Sequence, residues 1–438
     1  MDEYNEIHRP QLHFTAKKNW INDPNGLVYC DGTWHLFFQH NPKSNIWGNM
    51  TWGHAVSSDL IHWKQIEHAL YPDEHGTMFS GSAVIDHENT AGFGKGAMLI
   101  FYTAAGEYVS PARPFTQCLA YSTDNGVTIH KYEGNPIIGS FEKGNRDPKV
   151  IWHKDSQQWI MALYLIGNKY CLLRSSDAKT WSRFQDLCLP GVTECPDFFP
   201  LKDDAGCTRW IFWGAEGIYL IGSFDGHKFL EETGALISEH GNNAYAAQTW
   251  SDSPDGRRIQ ISWMNRGLYP EMPFNHQMSI PLELSLSGSG EDVILRRWPV
   301  KEVEKLRNNS LKLESQKIED WRAPLEIEAA GELLDVSFSA YSRSEGRLHV
   351  LIRGQSMVLD WGKRQLSFQN HSFSLDQSPW IEIRLLIDKT SVEIFINKGL
   401  ISASCTFLPG AYIHPLTMYS DGIQKVDDIE IHELEPIW

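Results

Sequence analysis

Three acidic residues each stand next to a proline or one residue away from it: Asp23 before Pro24, Asp147 before Pro148, and Glu194 in Glu194-Cys195-Pro196-Asp197. Two carboxyl groups that flank a glycosidic bond can hydrolyse it, one protonating the departing oxygen while the other attacks or activates water. Taken singly, Asp before Pro is common turn chemistry and asks for no function. Three acids become interesting only if the fold brings them to one place.

The elements that would do so form a repeat. Ser57-Ser58-Asp59 is echoed by Ser175-Ser176-Asp177, and more loosely by Ser122-Thr123-Asp124 and Ser223-Phe224-Asp225. Each copy falls late in a unit that opens on a short apolar strand, turns, and continues into an aromatic strand. The openings are Asp23 to Tyr29, Ser80 to Ile85, Arg146 to Ile151, Glu194 to Phe199 and Tyr245 to Trp250; the second strands are Trp34 to Phe38, Met98 to Tyr102, Trp159 to Tyr164, Trp210 to Trp213 and Arg258 to Trp263. These β-branched and aromatic runs lack a long helical period. Units of roughly 50 to 65 residues, each worth four strands, read as propeller blades around a central channel. The spacing therefore predicts an all-β chain that begins with a five-bladed β-propeller, in which the innermost strands carry Asp23, Asp147 and Glu194 to one funnel.

Ser285 to Gly290 reads as a linker-like stretch of small residues, and Pro299 to Arg307 as a short helix with Pro near its first turn. Beyond it, Leu333 to Tyr341, Arg347 to Arg353, Trp380 to Ile387, Ser391 to Asn397 and Ile429 to His432 alternate as strands separated by turns such as Lys398-Gly399 and Asp421-Gly422. The expected division is residues 1–296 as the propeller, 297–310 as a short helical linker and 311–438 as a C-terminal β-sandwich.

Composition narrows the partners. A net charge of −16 opposes nucleic acid, whose binding draws on Lys and Arg, and suits small uncharged ligands. The 17 Trp, 15 Tyr and 20 Phe are mostly strand packing, with a minority free to stack on sugar rings. Seven scattered cysteines without a CxxC pair read as reduced, mostly buried thiols. The 18 histidines include no HExxH motif, and no Cys/His cluster has zinc spacing, so neither metal nor cofactor is expected. No run approaches the ~20 apolar residues of a membrane span. Met1 to Glu6 has no secretory character, so the sequence as given is expected to be cytoplasmic, which favours small imported sugars; a secreted form with its signal removed is compatible with the same start.

Several motifs together resemble glycoside hydrolase family 32, the invertase, exo-inulinase and levanase type of β-fructofuranosidase. They are Asn19-Trp20-Ile21-Asn22-Asp23-Pro24-Asn25-Gly26, Trp52-Gly53-His54-Ala55, Phe79-Ser80-Gly81-Ser82, Arg146-Asp147-Pro148-Lys149, Glu194-Cys195-Pro196-Asp197 and Asp388 to Asn397, and they span essentially the whole chain in the family's order. The resemblance implies that Asp23 is the nucleophile, Glu194 the acid/base and Asp147 a stabiliser that holds sugar hydroxyls. It also implies that Asn22, Gln39, Trp47, Phe79, Ser80 and Arg146 shape a fructose pocket. Tyr245, Gln248 and Trp263, from the fifth opening and its partner strand, complete the expected substrate-binding set. A retaining mechanism would place the proton on Glu194 and the charge on Asp23.

Sucrose and short fructo-oligosaccharides are the expected substrates. Fructosyl transfer through the same intermediate, and hydrolysis of sucrose 6-phosphate, are the enzymatic alternatives. A non-catalytic sugar-binding propeller would lack the nucleophile or the acid, and an arabinanase-like enzyme would lack the Trp-Ile-Asn-Asp-Pro-Asn-Gly opening.

Overall fold

Blade architecture begins with a cap that the repeat encodes. Ser57, Ser122 and Ser175 each donate a hydroxyl hydrogen bond to the Asp two residues on, at 3.1, 2.7 and 2.9 Å. Each Asp in turn accepts backbone N–H groups of the turn, Asp59 from Ile61 and His62 and Asp177 from Lys179 and Thr180. Such a side-chain clamp supplies the partners that a tight turn leaves unsatisfied. In the first three blades it sits between the third and fourth strands.

The computed structural model describes residues 4–438, apart from 319, 328–330, 343–344, 376–377 and 423. Five antiparallel sheets follow one another along residues 19–299, and their innermost strands are Asn19–Cys30, Thr77–Asp86, Arg146–His153, Asp197–Lys202 and Ala244–Thr249. These five strands contact one another in a closed ring. Closure between the last blade and the first is made by backbone hydrogen bonds between Tyr29 and Ser251 (3.0 Å) and between Ser251 and Leu27 (2.9 Å), and by Phe274–Asn275 pairing in parallel with Asn19-Trp20. The five-bladed propeller expected from the repeat is thus the observed one.

No single core holds this ring. Separate apolar clusters fill the gaps between neighbouring blades, for example Met78, Tyr102, Phe37 and Trp52 between blades 1 and 2, and Ile160, Tyr170, Phe198 and Phe212 between blades 3 and 4. Burial on this scale stabilises by roughly 25 cal/mol per Å² of apolar surface, and it fixes each blade against the next.

The boundary differs from the expected one. Ser285 lies inside the strand Leu282–Ser287, and the last blade strand runs Ile294–Pro299, past residue 296. Leu282, Leu284 and Leu286 are buried, and the intervening small polar residues that gave the linker-like composition are the outward face of that strand. The helical linker is one 3₁₀ segment, Lys301–Leu306, followed directly by the strand Arg307–Leu313.

Two sheets of seven and six strands then form the sandwich. Its strands include the five expected, together with Gln355–Asp360, Gln365–Phe368, His371–Ser374, Ile401–Thr406 and Leu416–Asp421. The sandwich is welded to the ring by an apolar cluster that joins Leu12, Phe14, Trp250 and Ile259 to Val303, Leu386, Phe395 and Leu434. Beside it, buried His13 donates from both ring nitrogens, to Asp388 at 2.7 Å and to Glu393 at 2.9 Å. Among the described residues, no helix is long and apolar enough to cross a membrane.

Candidate active site

At the funnel mouth, irregular strand pairing aims the side chains. Along blade 1, Ile21 pairs with His40 and Pro24 with Phe38, so Asn22 and Asp23 together face Gln39 alone. At Ser80 a single extra residue stands opposite none, between the pairs Phe79 with Thr103 and Gly81 with Tyr102. The two-against-one count of blade 1 recurs at Asp147-Pro148 opposite Leu163 and at Ala246-Ala247 opposite Ser262. A bulge bends its strand and re-aims a side chain, and bulges gather next to active sites. Gly81 is required beside one of them, because a Cβ there would lie 1.9 Å from the carbonyl oxygen of Phe101. Asp147, Glu194 and Cys195 have φ of 63°, 58° and 39°, a left-handed conformation that costs on the order of 1–3 kcal/mol per residue and is held by the surrounding sheets.

These strands and the segments beside them deliver one pocket of about 500 Å³, lined by Asn22, Asp23, Gln39, Trp47, Phe79, Ser80, Arg146, Asp147, Glu194, Tyr245 and Trp263. Glu194, expected on an innermost strand, stands on the segment just ahead of Asp197–Lys202. Ser80 Oγ donates to Asp23 Oδ2 at 2.5 Å, and Asn22 Nδ2 to Asp23 Oδ1 at 3.2 Å. Trp20 Nε1 donates to Asn22 Oδ1 at 2.8 Å, which fixes the Asn22 amide with its nitrogen toward the acid. Glu194 is bracketed: the Arg146 guanidinium binds Oε1, and Tyr245 donates to Oε2 at 2.7 Å. Arg146 lies over the Tyr164 ring, 4.7 Å from its centroid. Asp147 Oδ2 accepts the Cys195 N–H at 3.0 Å, and the Cys195 thiol lies between Asp147 and Asp23 at 3.5 and 3.6 Å.

Gln248 is the exception among the expected substrate residues. It lies beyond the bulge, pairs with Ile261, is wholly buried and does not line the pocket. Around it, Lys149, Asp197 and Thr249 tie three blades together: Lys149 Nζ donates to Thr249 O at 2.6 Å, and Asp197 accepts the Thr249 N–H at 2.6 Å. Conversely, Glu107, Tyr108, Phe115, Lys143 and Gly144 line the pocket without having been singled out in the sequence. Glu107 and Tyr108 lie in the 3₁₀ turn Gly106–Tyr108 and the others on connecting segments without periodicity, and only the aromatic pair Tyr108 and Phe115 carried any signal.

Electrostatics divide the acids. Burial pushes the Asp23 carboxyl up, against the hydrogen bonds from Ser80 and Asn22 that favour its charge; neighbouring Glu194 adds to the rise. The ionised state expected of Asp23 is therefore opposed by its surroundings. Asp147 is pushed up to about 7, chiefly by burial, with Arg146 opposing and the other two acids reinforcing the shift. A carboxyl raised by folding adds most stability at low pH and loses that contribution as pH rises from the ordinary Asp value through about 7. Asn at 147 does not titrate. Asp147→Asn is therefore expected to melt above wild type, by a margin that widens from pH 5 to pH 8 in paired thermal melts; a constant or shrinking margin would refute the burial argument.

Comparison with known proteins decides the family. The family model for the N-terminal domain of glycosyl hydrolases family 32 matches residues 13–299, and the one for its C-terminal domain matches residues 302–433. The chain belongs to glycosyl hydrolase family 32. As a member it is a glycoside hydrolase, and the three acids, Arg146 and the bulged strands fall within the matched region. Its relatives in the family include a levanase of Bacillus subtilis, 34% identical across 99% of this chain and 72% of that protein, and the extracellular exo-inulinase inuE of Aspergillus niger, 29% identical across 99% and 96%. Among solved family members, the exo-inulinase of Aspergillus awamori superposes with a TM-score of 0.88 at 27% identity, covering 100% of both chains. A fructofuranosidase of Schwanniomyces occidentalis, complexed with fructosylnystose, gives 0.87 at 25% identity and 99% of both.

Proposed function

We propose that the chain is an exo-acting β-fructofuranosidase that works with retention on sucrose and short fructans. The observation that carries this reading is the bracketing of Glu194 by Arg146 and Tyr245 in the same pocket where Ser80 and Asn22 grip Asp23.

Asp23, held by two donors on its flanks, attacks the anomeric carbon of a terminal fructosyl unit. Glu194 gives a proton to the leaving oxygen, and the fructosyl group is held as an ester of Asp23. Glu194, now ionised beside the Arg146 guanidinium, takes a proton from water, which releases fructose and restores Asp23. Asp147 and Gln39 face the sugar hydroxyls, while Trp47, Phe79 and Trp263 supply apolar walls. Phe79 is fixed edge-on to Trp47 and Phe115, at 5.9 and 5.5 Å.

Early proton NMR of sucrose cleavage tests the stereochemistry: β-fructofuranose is expected as the first product, before mutarotation. First release of the α anomer would overturn the covalent route. Initial rates on sucrose, kestose, inulin, levan and sucrose 6-phosphate assign the substrate, and cleavage of the phosphorylated sugar alone would replace this reading with its runner-up.

A further inference from the structure

A second hollow of about 710 Å³ opens directly off the catalytic pocket. Glu107, Phe115, Lys143 and Gly144 line both, and the hollow continues along Ala112, Arg113, Pro114, Ser140, Phe141 and Glu142. One wall is the blade 2 loop after Ala105, and the other is the segment that leads into blade 3. At the junction Lys143 and Glu107 approach to 3.9 Å across the gap.

Phe141 stands out along this groove. The residue is 42% exposed, yet its ring is not loose. The Arg183 guanidinium, pinned by Asp186 at 2.6 Å, lies 5.7 Å from the ring centroid. Backbone freedom is removed as well: buried Asn145 accepts the Phe141 N–H at 3.0 Å and a hydroxyl from Ser140 at 3.2 Å. Asn145 is chained to the catalytic centre, since Gln117 donates to Asn145 O and accepts from Thr103, whose hydroxyl accepts the Asp147 N–H. A braced aromatic face at the edge of a carbohydrate pocket loses little freedom when a sugar ring stacks on it.

Charge specifies the occupant. Arg113 and Lys143 are matched along the groove by Glu107 and Glu142, so it offers polar groups of both signs and no net field for a phosphate. We infer that this groove receives the leaving-group side of a neutral oligosaccharide and that Phe141 is its stacking platform, making Phe141 a determinant of chain-length preference. The inference rests on the β-fructofuranosidase reading and adds to it a binding site outside the fructose pocket.

The test compares sucrose, kestose, nystose and long-chain fructans of both β-(2→1) and β-(2→6) linkage. Wild-type kcat/KM is expected to climb with length in at least one linkage series. Phe141→Ala should raise KM on the longest chains by at least about fivefold while moving that on sucrose by less than about twofold, and Phe141→Trp should restore the climb. Equal effects on short and long substrates, or none on either, would overturn the groove assignment and leave fructoside hydrolysis standing. If wild type splits none of these sugars, the β-fructofuranosidase reading fails instead. Dissociation constants of the same series on Asp23→Asn, with and without Phe141→Ala, then judge the groove by itself.

Discussion

Asp23→Asn is expected to lower kcat on the best fructoside by at least about 10⁴-fold with the fold intact, beyond the loss of an ordinary proton-transfer group. Asn is isosteric and its carbonyl oxygen still accepts the Ser80 hydroxyl, so the 2.5 Å bond has a counterpart in the variant, whereas the amide nitrogen that replaces the other oxygen cannot accept from Asn22. Loss of the nucleophilic oxygen outweighs the loss of that weaker 3.2 Å bond. Glu194→Gln is the companion: the Tyr245 bond survives, the charge facing Arg146 does not, and the loss should be about 10² to 10⁴-fold. That loss should shrink on a fructoside whose leaving group needs no proton, and added azide should return turnover as a β-fructosyl azide. Steady-state rates and product NMR check both variants. A drop of about tenfold for Asp23→Asn would be too small for a covalent nucleophile.

His13→Ala should cost about 3–5 kcal/mol, the largest stability loss expected of a residue outside the pocket, because it leaves two buried carboxylates without their cation. Burial alone would strip the His13 proton, but the hydrogen bonds it donates to Asp388 and Glu393 reverse that and hold it up to about 9. His13 gains affinity for its proton on folding, so its contribution is complete below the ordinary imidazole value and is lost as pH climbs through about 9. Asp388 works in the opposite direction. Its carboxyl is held low by His13 and by the Gln11 and Leu12 N–H groups despite burial, and its contribution fades as pH falls below the ordinary Asp range. Urea midpoints of wild type and His13→Ala should therefore differ most near neutrality and converge near pH 10. A gap that persists at pH 10 would mean that packing, and not charge, sets the cost.

Much of this molecule was legible in its residues, for identifiable reasons. The Ser-x-Asp caps are local chemistry, so the repeat they mark transferred directly into blades. The inner and second strands announce themselves by apolar content, and the three acids by their place at the strand openings. What local pattern cannot count is a bulge. With the extra residue at Ala246-Ala247, Tyr245 meets Glu194 while Gln248 is buried outside the pocket lining, and the sequence placed both at the sugar. Ser285 and Ser287 hid a strand because its outer face is small and polar, while Leu282, Leu284 and Leu286 carried the alternation on the other face. Glu107 and Lys143 reach the pocket from loops whose path is set by distant contacts, such as Gln117 with Asn145. Five cysteines are buried as expected, whereas Cys188 and Cys207 are exposed.

Each blade takes all of its long strands from one stretch of chain: the first is built from residues 19–70 and the last from 244–299. Across the joint, the short strand Phe274–Asn275 of the last unit pairs with Asn19-Trp20 of the first sheet. That seam is also crossed by the Leu27, Tyr29 and Ser251 bonds and by the apolar cluster to which Leu386, Phe395 and Leu434 also belong. The sandwich is thereby the buckle of the catalytic circle. A lineage that shed it would expose the open joint of its own active-site scaffold, which is a physical reason for the two halves to travel through evolution as one piece.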